Sequence, residues 1–182
     1  MTVAISLLRA INVGGNNLIR MEALRTAHEA LGLADVQTYV QSGNVVFRTK
    51  LRDVAGLGRR IEDSIEQSHG FRPGVIVRTA DEMRDAIARN PFEGRKGMEP
   101  AKLQVVFLAG MPDAAVGEKL RSVHAGPEEF HLSGRELYIY YPEGMGRSKF
   151  PALISKTLKI AGTSRNWNTV TKLAEMAAEL EK

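Results

Sequence analysis

The same order of secondary-structure signals occurs twice in this chain, and this repetition constrains the fold more than any other feature. "VAISLLR" at 3–9 is a short β-rich run, and the "NVGGNN" that follows is typical of a loop. "MEALRTAHEALG" then places apolar residues at helical spacing and ends at Gly32, which suits the C-terminus of a helix. The next signals, "VQTYV", "QSGN" and "VVFRT", predict a β-hairpin.

The first half continues with a helix, a strand and a further helix. Residues 52–68 repeat apolar side chains at helical spacing, and "GVIVRT" at 74–79 predicts a strand. Thr79 and Glu82 are spaced as a capping box at the start of "ADEMRDAIARN". The order of elements in this half is therefore βαββαβα.

The second half begins after the Pro- and Gly-bearing segment "NPFEGRKGMEP". "KLQVVFLAG" predicts a strand, "PDAAVGEKLRSVH" a helix, and "EEFHL", "SGR" and "ELYIYY" a second hairpin. Two helices follow, separated by a short segment through Thr163. A βαββαβ order is the ferredoxin-like arrangement, an antiparallel sheet with both crossover helices on one face. We therefore predict an α+β fold of two duplicated ferredoxin-like halves, 1–90 and 101–182, joined by a linker at 91–100.

Composition excludes several classes of protein. With 182 residues, 43% of them hydrophobic, the chain can bury a core without cross-links. Cysteine is absent, which excludes disulfides, thiolate metal sites and cysteine nucleophiles. The four histidines lack the spacing of metal ligands, and no GxSxG motif occurs. We expect no metal and no cofactor, and no catalytic residue is assigned.

The N-terminal apolar run does not predict a membrane segment. Arg9 interrupts it well before the roughly 20 residues that span a bilayer. No membrane partner and a cytoplasmic location are therefore expected. The chain has 25 basic and 21 acidic residues, a net charge of +4, and this balance favours an anionic partner.

Five motifs occur in order along nearly the whole chain: "LLRAINVGGNN", "SGNVVF", "NPF", "PEGMGRSK" and "TSRNWNTVTKL". Together they resemble the bacterial domain-of-unknown-function 1697 family. One departure is Ala10, where that family usually has glycine, whose backbone is more permissive. The resemblance implies a small, soluble bacterial protein of ferredoxin-like α+β type with no established activity.

The "TSRNWNT" motif is the first candidate binding site. Arg165 offers five donors, and Asn166 and Asn168 each donate and accept. Asn168 or Thr169 is predicted to cap the last helix, which would place free backbone N–H groups beside Arg165 and favour a phosphate or carboxylate. The alternative is structural: these side chains satisfy buried backbone groups while Trp167 packs the helix onto the core.

The loop "NVGGNN" is the second candidate. Gly14 and Gly15 let a backbone approach a ligand closely, and Asn12 supplies a polar edge. Arg9 ends the first strand and is expected to have a partner, because a basic residue in an apolar strand needs one. The alternative is a tight loop in which the glycines adopt positive φ.

Two further places complete the predicted site. Ser42 and Asn44 are included because a hairpin tip can reach a neighbouring loop, although their commoner role is the turn itself. In "EGMGRSK", Ser148 is predicted to cap a helix, with Arg147 and Lys149 adjacent, as in an anion site at a helix terminus. Solvated side chains are the alternative.

Three functions are consistent with these residues. The leading prediction is a binding protein whose halves converge on a polar pocket for a small ligand bearing phosphate or carboxylate. The first alternative is a protein that binds RNA or single-stranded DNA, with Tyr138 and Tyr140 alternating onto one face of their strand as a stacking surface. The second alternative is an enzyme acting on a phosphorylated metabolite, with Arg165 and Lys149 as electrostatic stabilisers.

Overall fold

The computed structural model describes all residues, 1–182. The chain divides into two compact units. Unit 1 consists of Met1–Asp85 together with Thr171–Lys182, and unit 2 is Ala86–Val170. The predicted linker, 91–100, belongs to unit 2. The domain boundaries expected from the sequence stay a prediction.

Unit 1 contains a four-stranded antiparallel sheet with the strand order β2-β3-β1-β4. Its elements are β1 (Thr2–Arg9), α1 (Met21–Glu29), β2 (Ala34–Tyr39), β3 (Asn44–Thr49), α2 (Val54–His69), β4 (Gly74–Thr79) and the start of α3 (Ala80–Ala88). The predicted capping box at the start of α3 is confirmed, because the Glu82 N–H donates to Thr79 Oγ1 and the Thr79 N–H donates to the Glu82 carboxylate.

The core of unit 1 lies between the sheet and helices α1 and α2. Ala4 and Leu8 of β1 pack there with Leu57, Ile61 and Ile65 of α2. Six consecutive residues of β1, from position 3 to position 8, are buried. A strand buried on both faces needs apolar residues in succession, which explains why "VAISLL" shows little alternation.

Unit 2 repeats this topology with the strand order β6-β7-β5-β8. Its elements are β5 (Leu103–Leu108), α4 (Val116–Val123), β6 (Glu129–Ser133), β7 (Glu136–Tyr140), α5 (Phe150–Leu158), β8 (Gly162–Asn166) and the start of α6 (Trp167–Glu181). Both units have the strand order and crossover helices of a ferredoxin-like fold. The predicted α+β class with two ferredoxin-like halves is confirmed.

The structure differs from the sequence prediction near the last helix. The segment through Thr163 is not a connection but the edge strand β8, paired with β5. Helix α6 begins at Trp167, earlier than predicted, so the prediction that Asn168 or Thr169 caps it was wrong. Asn166 caps the helix instead, because its Oδ1 accepts from the Asn168 N–H at 3.0 Å. No helix in the chain combines the length and the apolar character needed to cross a bilayer.

Candidate functional site

A cleft of about 490 Å³ opens in unit 2. Two connections line it: residues 124–128, between α4 and β6, and residues 141–149, between β7 and α5. Two residues of the predicted site, Ser148 and Lys149, lie here together with Arg147. The cleft is therefore the place where the structure best fits the predicted anion site.

The connection from β7 to α5 folds as a turn followed by a short helix. Its first residue, Tyr141, donates its N–H to the O of Lys102, the residue before β5 (2.9 Å). The Gly144 N–H then donates to Tyr141 O (2.9 Å) and closes a turn. Residues Met145–Arg147 then form one 3-10 turn. This path brings Ser148 to the start of α5.

Ser148 is bonded on both sides of its hydroxyl group. Its Oγ accepts from the Phe150 N–H at 3.0 Å and donates to Oε1 of Glu128. Ser148 thus binds the first N–H of α5 from the position before the N-cap, Lys149, one residue from the capping position that the sequence predicts. Two of the amide donors that a helix start offers to an anion are missing from α5. The Phe150 N–H is bonded to Ser148 Oγ, and Pro151 carries no N–H. Anion recognition here must rely on side chains.

Glu128 and His124 form the inner wall of the cleft. The Glu128 side chain is only 7% exposed. The His124 ring packs against Phe150 with 4.3 Å between ring centroids, and its Nε2 donates to the backbone oxygen of Glu128 at 3.0 Å. The same nitrogen is 3.6 Å from the carboxylate Oε2, too far for a hydrogen bond. The inner wall therefore holds a buried carboxylate in a defined position.

Tyr141 contributes a phenol group that stays protonated. Burial raises its pKa well above the usual value, and the nearby Glu128 carboxylate raises it further. The phenol next to Glu128 is therefore neutral throughout the physiological range, and the carboxylate is the anionic group of the inner wall.

Arg147 and Lys149 form the rim of the cleft. Both are exposed, and neither makes an ion pair with the protein. Unit 2 contains twelve basic and eight acidic residues, whereas unit 1 contains thirteen of each. The whole net charge of +4 therefore belongs to the unit that contains the cleft, which favours an anion at this rim.

The predicted residues of the first loop have structural roles. The Asn12 side chain donates to Ile19 O (3.0 Å) and Gln41 O (2.9 Å) and accepts from the Ile19 N–H (2.9 Å). The two bonds to Ile19 close the loop after β1 on itself, and the bond to Gln41 O ties it to the tip of the β2–β3 hairpin. The hairpin tip does reach a neighbouring loop, as predicted, but Asn12 uses its polar atoms for this contact.

Gly14 and Gly15 also follow the structural alternative. They have φ values of 58° and 78° inside a turn closed by pairing of Val13 with Asn16, and glycine adopts this conformation without strain. The expectation that Arg9 has a partner was wrong. Its side chain is exposed and makes no bond to the protein, and a guanidinium group in water needs none.

Ser42 and Asn44 hold the hairpin turn. Asn44 is fully buried, and its Nδ2 donates to Tyr39 O at 2.9 Å and to Ser42 Oγ at 3.0 Å. These bonds close the turn from β2 to β3. The geometry therefore favours the alternative that the sequence also allows, in which Ser42 and Asn44 hold the turn itself.

Arg165 lies on the other face of the unit 2 sheet from the cleft. It pairs with Val105, whereas the next residue of β5, Val106, packs on the core formed with α4 and α5; successive side chains of a strand point to opposite faces. Arg165 is 7% exposed and donates to Thr163 Oγ1 (2.7 Å) and Ser164 O (2.8 Å). Burial lowers its pKa to about 10, so it remains charged. The structure therefore does not bring Arg165 together with Lys149 at the cleft.

The two asparagines after Arg165 differ in their contacts. Asn166 donates to Ala101 O at 2.8 Å in addition to capping α6, so both ends of its amide are occupied. Asn168 lies on the exposed side of the first turn of α6. Neither residue lines the cleft.

The tyrosine face required by the nucleic-acid alternative is buried. Tyr138 has no exposed surface and donates to Ala86 O. Tyr140 is covered by Phe92, with 6.1 Å between ring centroids. Because bases must reach a ring to stack on it, the predicted stacking surface of Tyr138 and Tyr140 was wrong.

Sequence reasoning missed Glu128 and His124. Both come from the connection "HAGPEE", which carries no recognised motif. The length of this connection gave no signal, because four residues join α1 to β2 and five join α4 to β6. No group of three or more potential metal ligands comes together anywhere in the chain.

Comparison with known proteins identifies a structural neighbour and a family. The structure resembles that of the conserved bacterial protein SP0830 from Streptococcus pneumoniae, with a TM-score of 0.74 and 23% identity over 98% of this chain and 99% of the other. At this identity the likeness shows the fold alone. No curated protein matches the sequence.

The profile of a family described as "Protein of unknown function (DUF1697)" matches residues 1–138. The motifs "LLRAINVGGNN", "SGNVVF" and "NPF" lie within the matched residues, whereas "PEGMGRSK" and "TSRNWNTVTKL" follow them. The match spans well over half of the chain, and the chain therefore belongs to the DUF1697 family.

Proposed function

We propose that the cleft of unit 2 binds a small anionic ligand that carries a phosphate or carboxylate group. The observation that supports this is the pair of exposed cations without ion-pair partners, Arg147 and Lys149, at the rim of a cavity of about 490 Å³. This volume lies within the range of small-molecule sites, roughly 300–1,000 Å³.

The two cations have complementary roles in this proposal. Arginine binds the oxygens of a phosphate or carboxylate through two parallel N–H bonds, whereas lysine acts as a compact charge. The 3-10 turn and the Ser148 cap hold the backbone between them. The site is thus narrower than the polar pocket predicted from the sequence and lies within one unit.

The test is calorimetric titration of the full chain with inorganic phosphate, ethyl phosphate and acetate. We expect the double substitution Arg147→Ala and Lys149→Ala to weaken binding of the preferred probe by about tenfold or more, because each charge-assisted bond contributes roughly 1.5–3 kcal/mol.

The matched control removes the same charge elsewhere in the unit. Lys156 and Lys159 are exposed at the last turn of α5, outside the cleft, and their replacement by Ala should leave binding nearly unchanged. Equal losses in both double variants would show a diffuse charge effect and no site at the cleft.

A second candidate, contact with a nucleic-acid backbone, is supported by the surface of α4 and α5. Four further exposed cations lie on or at the end of these helices without ion pairs: Lys119, Arg121, Lys156 and Lys159. Phosphate-backbone binding weakens steeply with salt. Binding of single-stranded DNA that falls steeply between low and moderate salt, and that the Lys156 and Lys159 variant weakens as much as the cleft variant, would favour this candidate.

A further inference from the structure

The inner wall of the cleft carries one carboxylate oxygen that accepts no hydrogen bond. Oε1 of Glu128 accepts from the Ser148 hydroxyl, whereas His124 Nε2 is 3.6 Å from Oε2, beyond hydrogen-bond distance, and pairs with it only when the ring is protonated. The side chain is 93% buried. Neither Arg147 nor Lys149 forms an ion pair with this carboxylate, although both line the same cleft.

Oε2 of this carboxylate is accessible from the cleft and can accept further hydrogen bonds. A buried charge is costly unless it is paired and hydrogen-bonded, and Glu128 has one of the bonds that its two oxygens can accept. Groups that satisfy the remaining oxygen must enter through the cleft, because the protein side of the carboxylate is already occupied by Ser148 and His124.

The absence of a side chain at Gly126 lets the Glu128 carboxylate occupy its position. A Cβ atom at Gly126 would lie 2.0 Å from Oε2 of Glu128, so any other residue would displace the carboxylate. The free oxygen therefore depends on three features together: the Ser148 hydroxyl, the His124 ring and the absence of a side chain at Gly126.

The cleft thus presents opposite charges at two depths, cations at the exposed rim and a carboxylate on the buried wall. We infer that the ligand carries an ammonium group that binds Oε2 of Glu128, in addition to the anion held by Arg147 and Lys149. This inference rests on the proposed function of the cleft. The ligand class is therefore that of small phosphates or carboxylates that also carry an amine. The Glu128 carboxylate would repel a purely anionic ligand.

The experiment compares probes that differ only at the amine. Ethyl phosphate, 2-hydroxyethyl phosphate and 2-aminoethyl phosphate share the anion and are titrated into the full chain, with binding followed by amide NMR shifts at millimolar probe concentrations. We expect the aminoethyl ester to bind about tenfold to a hundredfold more tightly than the ethyl ester, as for a hydrogen bond to a charged group.

Two variants connect this preference to Glu128. Glu128→Gln retains an oxygen that can accept from Ser148 but removes the charge, so the three probes should bind with nearly equal affinity. Gly126→Ala keeps the charge but moves the carboxylate, and should reduce the preference as well. Glu118→Gln is the control, because Glu118 is an exposed acidic residue of α4 outside the cleft.

The outcomes separate the two proposals. Equal binding of all three probes by the wild type would overturn the ammonium site and leave the anion site standing. A preference for the hydroxyethyl ester equal to that for the aminoethyl ester would show that Glu128 selects a neutral donor, and the inferred charge would be wrong. Absence of binding by every probe at millimolar concentration would overturn the proposed function and this inference together.

Discussion

The two halves of the chain have the same strand order but differ in the lengths of their connections. In both, the last strand pairs antiparallel with the first and carries a buried arginine in equivalent register, Arg78 opposite Ile5 and Arg165 opposite Val105. Each arginine donates through NH1 to the preceding carbonyl oxygen, Val77 O at 3.2 Å and Ser164 O at 2.8 Å.

The difference that bears on the cleft lies between the third strand and the second helix of each half. Four residues join β3 to α2, and Asp53 caps the helix directly by accepting from the Gly56 N–H at 2.8 Å. Nine residues join β7 to α5, and these residues wall the cleft. The comparison teaches that a cleft can be opened on a repeated frame by a longer connection, without changing the strand order.

The largest expected effect tests the shared part of the frame. Arg165→Ala and Arg78→Ala should each lower the free energy of unfolding by about 3 kcal/mol or more, because each leaves a cavity and buried acceptors without their donor. Urea unfolding measures this loss. A loss below about 1 kcal/mol for Arg165→Ala alone would show that the two arginines are not equivalent.

A second effect belongs to the first half only. His28 is buried against Ser6, whereas the equivalent of Ser6 in β5 is Val106. Because Leu24 O can only accept, Nδ1 of His28 donates to it (2.8 Å) and Nε2 accepts from the Ser6 hydroxyl (2.9 Å). Burial lowers the pKa of His28 to about 4, although the bond to Leu24 acts in the other direction.

This lowered pKa predicts sensitivity to acid. Between about pH 6.5 and pH 4 the unfolded chain binds a proton that native His28 does not, so stability falls as pH falls, by about 3 kcal/mol across that window. Unfolding measured at several pH values should show a shallower dependence for His28→Leu than for the wild type. His131→Leu, at an exposed position of β6, should retain the wild-type slope.

The smallest expected effect contrasts equivalent positions after the first strand of each half. Ala10 has a φ of 57°, whereas Gly110 is outside the positive region and has open space around it. Ala10→Gly should stabilise the protein by about 1 kcal/mol, since alanine is strained in that conformation. Gly110→Ala should also stabilise, by about 0.5 kcal/mol, through the entropy of the unfolded chain. Thermal melts of both variants test this, and destabilisation by Ala10→Gly would contradict the conformation at that position.

Prediction from the sequence succeeded where the signal is local. Turn residues and apolar periodicity predicted the order of elements, and the spacing of Thr79 and Glu82 predicted a cap that is present. Ser148 was found in the same way. Each of these features involves residues within one turn of helix or hairpin.

Prediction failed where the partner is distant in sequence. Glu128 reaches Ser148 across 20 residues, and no local pattern encodes that contact. Alternation placed Tyr138 and Tyr140 on one face, but it does not show that Phe92 and Ala86 cover that face. Likewise, the donor capacity of Arg165 was evident, whereas the acceptors that occupy it depend on strand pairing.

The division of the chain into units also affects the order in which they can be completed during synthesis. Unit 2 is continuous, but unit 1 includes residues 171–182, and these supply Leu180 O to Arg48 and the Glu181 carboxylate to Arg84. Domains fold as their residues leave the ribosome, at roughly 5–20 residues per second. Unit 2, although second in the sequence, therefore has all of its residues first, and the contacts of Arg48 and Arg84 with the final helix form only when that helix emerges.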